Sequence, residues 1–281
     1  MVSQVWLITG TSSGFGAALV HELIRRGDKV IATARNVAKI STLKEAGAAV
    51  LQLDVTAPPD ELEKKAQEAL AIYGGLDVLV NNAGYSYFGT FEDASHQDWL
   101  AQFNSNLFGA INVTRSFLPH FRTKKAGTLV FIGSAAAWVG LPTLSLYAAS
   151  KHALTGAAES VAQEVKSLGI RTMIVQPGFF RTALLHPNNS TFAETAFDDY
   201  KPLVAPLYEQ YRGAHGKQTG DPEKGASCIV DVVKGEGLAE GKEPPATLVL
   251  GSDCLAVVRQ KCEETLNSLK EWEELSSSTD V

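Results

Sequence analysis

The stretch Gln4-Val5-Trp6-Leu7-Ile8-Thr9-Gly10-Thr11-Ser12-Ser13-Gly14-Phe15-Gly16 decides the fold. Residues 4–9 form a short apolar run of the kind a buried parallel strand shows, and a glycine-rich turn follows at once. Ala17, Leu19, Val20, Leu23 and Ile24 then recur at helical spacing up to Arg25-Arg26-Gly27, and 29–33 reads as a second strand. The result is a strand, glycine turn, helix, strand unit. Glycines let the chain turn tightly and let a pyrophosphate approach the backbone, while the helix N-terminus supplies free N–H groups and a positive dipole end. Gly10, Ser12, Ser13, Gly14, Phe15 and Gly16 are therefore candidates for cradling a dinucleotide.

Working outward, apolar runs at 48–53, 76–80, 128–133, 171–176 and 246–250 alternate with helical patterns. That alternation predicts an α/β fold: a single-domain, Rossmann-type, doubly wound parallel sheet flanked by helices, spanning 1–281. Ligands of such sheets sit beyond the carboxyl ends of the strands, where Gly10, Arg35, Asp54, Asn82, Ser134 and Pro177 all fall. A chain 45% hydrophobic and 20% charged can bury a large core, and a net charge of −6 without a basic stripe argues against nucleic acid and anionic membranes. No apolar run approaches a membrane span, and a strand starting by residue 4 leaves no room for a cleavable leader. Cys228, Cys254 and Cys262 have neither zinc spacing nor an even count, so the expectation is reduced thiols, no metal and a cytoplasmic protein.

The chemistry is carried by Tyr147-Ala148-Ala149-Ser150-Lys151. A free phenol has a pKa of about 10, but an ammonium one helical turn away favours the phenolate and can lower it. Residues four apart share a helix face, and no other tyrosine of the chain has a lysine four on. Ser134, at the end of an apolar run, can hold a substrate oxygen beside that phenol as it gives up its proton. For the cofactor, the end of the second strand offers Arg35 and no acid. An acid there suits the ribose hydroxyls of NAD, whereas a guanidinium suits a 2′-phosphate, so NADPH is expected rather than NADH. Asn82, Ala83 and Gly84 give small residues where a cofactor ribose would pass, or merely a turn. Asn106 sits in a helical stretch that disfavours asparagine, which hints at a task or at a kink.

Together these motifs identify the chain as resembling the classical short-chain dehydrogenase/reductase family, from Val5 to about Gly251. Thr9-Gly10-Thr11-Ser12-Ser13-Gly14-Phe15-Gly16, Asp54-Val55, Asn81-Asn82-Ala83-Gly84, Asn106, Ser134, Tyr147 with Lys151, and Pro177-Gly178 with Thr182 match in order. The resemblance implies that Asp54 and the Val55 N–H hold adenine. It implies that Pro177, Gly178 and Phe180 shape the turn beneath nicotinamide, and that Thr182 bonds the carboxamide. In the same way Tyr147 and Lys151 would meet the nicotinamide ribose, and Asn106 would hold a water linking Lys151 to solvent. It also implies pairing through the helix that starts near Tyr147, hence a homodimer or homotetramer, unless the C-terminal helix covers that surface. The branch resembled contains 17β-hydroxysteroid and retinol-type dehydrogenases.

Two regions fall outside the motifs. The stretch 183–220 reads as a long loop acting as a substrate lid, with Pro187, Phe192, Phe197, Tyr200, Pro202, Pro206, Tyr208 and Tyr211. Its aromatics, with Tyr85, Tyr87, Phe88, Trp138, Leu141, Phe179 and Leu184, suggest an apolar pocket for a lipophilic or aromatic ketone, or a small core of their own. Residues 253–275 read as an extra C-terminal helix. The expected activity is NADPH-dependent carbonyl reduction; alcohol oxidation and a non-catalytic nucleotide-binding role are the alternatives.

Overall fold

Alternate side chains of each central strand enter different cores, which is why the apolar runs are continuous rather than amphipathic. In the computed structural model, which describes residues 3–186 and 189–281, Trp6 and Ile8 of β1 (Val5–Ile8) join one core and Leu7 the other. The chain continues through α1 (Gly14–Arg25), β2 (Lys29–Ala34), α2 (Ser41–Glu45), β3 (Ala49–Gln52), α3 (Pro59–Tyr73) and β4 (Val78–Asn81). Next come β5 (Ser86–Phe88), α4 (His96–Phe103), a π-helical turn (Asn104–Phe108), α5 (Gly109–Lys124), β6 (Gly127–Ile132), α6 (Ser145–Lys166) and β7 (Ile170–Pro177). The last elements are β8 (Ser190–Phe192), α7 (Lys201–Ala214), α8 (Pro222–Lys234), β9 (Thr247–Leu250), α9 (Ser252–Glu271) and α10 (Glu273–Ser277).

Seven strands form one parallel sheet in the order β3-β2-β1-β4-β6-β7-β9. The order reverses between β1 and β4, and that switch point opens a crevice at the carboxyl ends. On one face α1 and α8 supply Leu19, Val20, Leu23, Ile229 and Val230. On the other, α3, α5 and α6 supply Leu62, Val113, Phe117, Phe121, Leu154 and Val165. An ion network ties α1 to α8: Arg26 donates to Asp231 at 2.7 Å and to Glu236 at 3.0 Å, and its Nε donates to Glu22 at 2.7 Å. Hydrogen bonds from Arg25 and then Arg26 hold Glu22 down at about 2, against the upward push of burial.

The 183–220 expectation needs correction. Residues 187 and 188, Pro187 among them, lie outside the described residues, but the rest is not a structureless loop. It contains β8, which pairs with β5 in a separate two-stranded parallel sheet, and α7. Its aromatics make a third core: Phe88 stacks on Phe192 with centroids 4.4 Å apart, and Tyr208 and Tyr211 pack with them. The Tyr208 hydroxyl lies within donating distance of the Phe88 and Ala193 carbonyls, at 2.9 and 2.8 Å.

The C-terminal helix is also unlike a simple extension of the fold. Cys254 roots α9 beneath the sheet edge, its thiol donating to the Gln176 carbonyl at 3.3 Å, but residues 259–281 are exposed throughout. Leu266, Leu269, Trp272 and Leu275 are among them. Among the described residues no helix is long and apolar enough to cross a membrane, and no group of three or more His, Cys, Asp or Glu side chains could hold a metal.

Candidate active site

The glycine turn is tight for reasons of geometry. Gly10 adopts φ +68°, and a Cβ there would sit 2.8 Å from Ala83 Cα; one at Gly16 would sit 2.4 Å from the Gly10 carbonyl oxygen. Asn82 fixes the turn from the β4 side, its Nδ2 donating to the Thr9 and Gly10 carbonyls at 2.8 and 3.0 Å and its N–H to Thr9 Oγ1 at 2.9 Å. Ser13, at the N-cap of α1, makes no side-chain cap, so the first turn of the helix faces the cleft without one. Phe15 packs on Phe180 with centroids 4.9 Å apart, which joins the turn to the end of β7.

A cleft of about 750 Å³ follows the carboxyl ends of the strands. Gly10, Ser12, Ser13, Gly14, Phe15, Arg35, Asp54, Val55, Asn82, Ala83, Gly84, Ser134, Tyr147, Lys151, Pro177, Gly178, Phe180 and Thr182 all line it. Gly16 and Asn106 stand outside this lining: Gly16 packs the turn against Asn82, and Asn106 is buried beneath Gly84 and Tyr85. Arg35 is exposed, and its guanidinium has no ion pair among the described residues. Asp54 accepts from the N–H and hydroxyl of Thr56 at 2.9 and 2.8 Å, so one carboxylate oxygen is already used in a local turn.

Ser134 begins a short turn after β6, and its hydroxyl accepts from the Ala136 N–H at 3.1 Å. One helix brings Tyr147 and Lys151 to the same cleft, both buried, with Lys151 Nζ 5.8 Å from the phenol ring centroid. The expected electrostatics are not those of the sequence reading. Burial pushes the Tyr147 phenol up, and what pulls it back is hydrogen bonding from the Ser134 and Ser86 hydroxyls, not the lysine. Burial also pushes the Lys151 amine down to about 8, and it donates to the Ile132 carbonyl at 2.8 Å. Spacing brings the pair together, but desolvation outweighs their attraction.

Asn106 occupies the π-helical turn between α4 and α5. Its Oδ1 accepts from the Tyr85 N–H at 3.1 Å, and its Nδ2 donates to the Tyr85 carbonyl and to Ser150 Oγ at 3.0 and 3.2 Å. The stretch is kinked, and the bulge turns the amide onto Tyr85, next to Gly84. Of the apolar side chains expected over the site, the aromatics Tyr85 and Phe179 and the aliphatic Leu184 line the cleft. Tyr87 and Phe88 are buried away from it, and Trp138 turns aside to donate to Gln176. Ser86 is the residue sequence reasoning missed: a serine, 1% exposed, within the aromatic run Tyr85-Ser86-Tyr87-Phe88. Its polarity in that setting was the signal.

The sequence profile described as short chain dehydrogenase matches residues 4–192. The chain belongs to the short-chain dehydrogenase/reductase family. It is 34% identical over 280 residues to the oxidoreductase BOA17 of Botryotinia fuckeliana, covering 98% of each chain. It is 31% identical over 229 residues to the 3-ketodihydrosphingosine reductase of Bacteroides thetaiotaomicron, covering 78% of this chain and 82% of that one. The crystal structure of a short-chain dehydrogenase from Streptomyces avermitilis superposes with a TM-score of 0.89 at 35% identity over the whole of both chains. As a member of this family the protein is an oxidoreductase of the CH–OH/C=O type.

Proposed function

We propose that the protein is an NADPH-dependent carbonyl reductase. The observation that carries this reading is the meeting of Ser134, Tyr147 and Lys151 in one cleft that also contains the glycine turn and Arg35. The residues present fit a dinucleotide: side chains at Gly10 or Gly16 would collide with the backbone, α1 presents an uncapped first turn, and Arg35 is a cation with no ion pair among the described residues. Gly10, Ser12, Ser13, Gly14 and Phe15 would hold its phosphates, Asp54 and Val55 its adenine, and Asn82, Ala83, Gly84 and Lys151 its ribose. Pro177, Gly178, Phe180 and Thr182 would hold the nicotinamide end. The bound cofactor supplies hydride.

The protein's own contribution is to hold the carbonyl and to move a proton. Ser134 and Tyr147 donate to the carbonyl oxygen, and Tyr147 Oη transfers its proton as negative charge develops there. A phenol raised by burial is protonated at neutral pH, which suits an acid in the reductive direction; oxidation would need it as phenolate. The Ser86 hydroxyl then steadies the phenolate as it forms, while Ser134 stays on the substrate oxygen. Asn106 sets Tyr85 and Ser150 around Lys151, whose charge is lost as pH rises through about 8, so the reductive rate should fall across that range. Tyr85, Phe179, Leu184 and Leu185 at the cleft wall favour a lipophilic or aromatic carbonyl. The 3-ketodihydrosphingosine reductase among the relatives agrees with a ketone as substrate.

A 2′-phosphate needs a cation, and charge-assisted bidentate bonds contribute about 1.5–3 kcal/mol. Arg35 should therefore give NADPH a roughly 10- to 150-fold preference over NADH. The test is kcat/KM with each cofactor on a panel of ketones, and of alcohols in reverse, for wild type and Arg35→Asp at fixed salt. The reading expects ketone reduction with NADPH and a ratio erased or reversed in the variant. Wild type preferring NADH, or a variant with an unchanged ratio, contradicts the cofactor assignment; turnover of alcohols alone contradicts the direction.

A further inference from the structure

In the connection between α7 and α8, His215, Gly216, Lys217 and Thr219 are exposed, yet Gln218 is buried, with 8% of its surface accessible. Gly216 at φ +77° and a bond from the Lys217 N–H to the Ala214 carbonyl at 3.0 Å make the turn that precedes it. The loop is then stitched to the end of β7. Phe180 bridges to Gly220, the Arg181 N–H donates to the Gly220 carbonyl at 2.8 Å, and the Gly220 N–H donates to the Phe179 carbonyl at 3.0 Å. Gln218 is thereby held in the cleft wall.

Its amide oxygen is unsatisfied. Among the described residues Oε1 is buried without a hydrogen-bond partner, and Nε2, which keeps some accessible surface, has none either. Polar neighbours in the same lining are already engaged: Asn189 donates to the Ala183 carbonyl at 3.1 Å, and the Ser190 hydroxyl donates to the Leu184 carbonyl. A buried amide oxygen left unpaired destabilises the fold, and leucine would fill the same space without that loss. An inward glutamine at a ligand cleft is accounted for when the ligand completes its bonds.

We propose that Gln218 is a ligand-anchoring residue whose amide bonds a neutral group that both donates and accepts, a carboxamide or a hydroxyl. The proposal rests on the NADPH-dependent carbonyl reductase reading for its two sources of such a group: the nicotinamide carboxamide, or a hydroxyl borne by the carbonyl substrate. An amide presents a donor and an acceptor side by side and no charge, so it matches these groups and not a phosphate or carboxylate.

The test compares wild type with Gln218→Leu in the full chain by three readouts: melting temperature without ligand, NADPH affinity by fluorescence titration, and kcat/KM for benzylacetone and its para-hydroxy derivative. The variant should melt at the same temperature or higher, because an unpaired buried amide oxygen is gone. An NADPH affinity about tenfold weaker assigns the bond to the cofactor; a loss of about tenfold confined to the hydroxylated ketone assigns it to the substrate. Unchanged NADPH affinity together with equal changes on both ketones overturns the proposal, as does a lower melting temperature with binding intact. If wild type reduces neither ketone, the reductase reading suffers, and the NADPH titration alone decides Gln218, unchanged affinity overturning it. Should the leucine variant not fold, Gln218→Met carries the same readouts.

Discussion

The two ends of the cleft are built by different means. At the glycine turn the geometry is set by backbone: Gly10 in the left-handed region, Gly16 against the Gly10 carbonyl, and Asn82 bonded to main-chain oxygens. At the other end the wall is backed by side chains far apart in sequence, with Ser86 beside Ser190 across β5 and β8 and Phe88 stacked on Phe192 behind them. The first end tolerates no added atom; the second is a packed cluster that can lose one. On the proposed reading, the backbone end would meet the dinucleotide and the packed end the carbonyl substrate.

The largest expected effect comes from breaking the backbone end. Gly16→Val places side-chain carbon where Gly10 oxygen and Asn82 Nδ2 already stand, 2.4 and 2.6 Å from the first added atom, so the turn must shift. NADPH affinity by fluorescence titration should fall at least about a hundredfold, equivalent to roughly 2.8 kcal/mol. A loss below threefold would mean that the turn adapts and that the contrast is overstated. The intermediate effect belongs to the α1–α8 network, at the end of α1 away from the cleft. Arg26→Met removes the ion-pair partner of Asp231 and one of the two cations on each of Glu22 and Glu236, and should destabilise the fold by about 2 kcal/mol in urea melts, discounted from a fully buried pair. Because Glu22 is depressed in the folded state, its contribution is present above the ordinary carboxylate range and lost as pH falls toward about 2. The wild-type advantage over Arg26→Met should therefore narrow on acidification, and an advantage independent of pH would exclude the ion network as its source.

The smallest effect belongs to the packed end. Tyr208→Phe removes the hydroxyl near the Phe88 and Ala193 carbonyls and should cost about 1 kcal/mol while NADPH affinity stays unchanged. A loss of cofactor affinity in that variant would show that the two ends are coupled rather than separate.

The same contrast explains what could be read from the chain. The strands of the large sheet were legible because burial on both faces makes them continuous apolar runs, and the glycine turn because its spacing is local. β5 and β8 were not, since three residues of mixed polarity give no period and their partnership is long-range. Pro202 and Pro206 made α7 read as loop, yet Pro202 stands in the first turn, where a missing N–H breaks no helical bond. Spacing placed Tyr147 beside Lys151, but the balance of their charges depends on burial, which spacing does not report. Gln218 was invisible for the same reason: nothing in its sequence neighbourhood distinguishes an inward glutamine from a solvated one.

The central claim is that Tyr147 is the proton donor of a carbonyl reductase, and Tyr147→Phe tests it most directly because only the hydroxyl is removed. We expect kcat for ketone reduction to fall by about 10²- to 10⁴-fold while NADPH affinity, read by titration on the same preparation, stays within about twofold. A variant that retains near-normal kcat, or that loses cofactor binding and turnover in equal measure, would contradict the assignment.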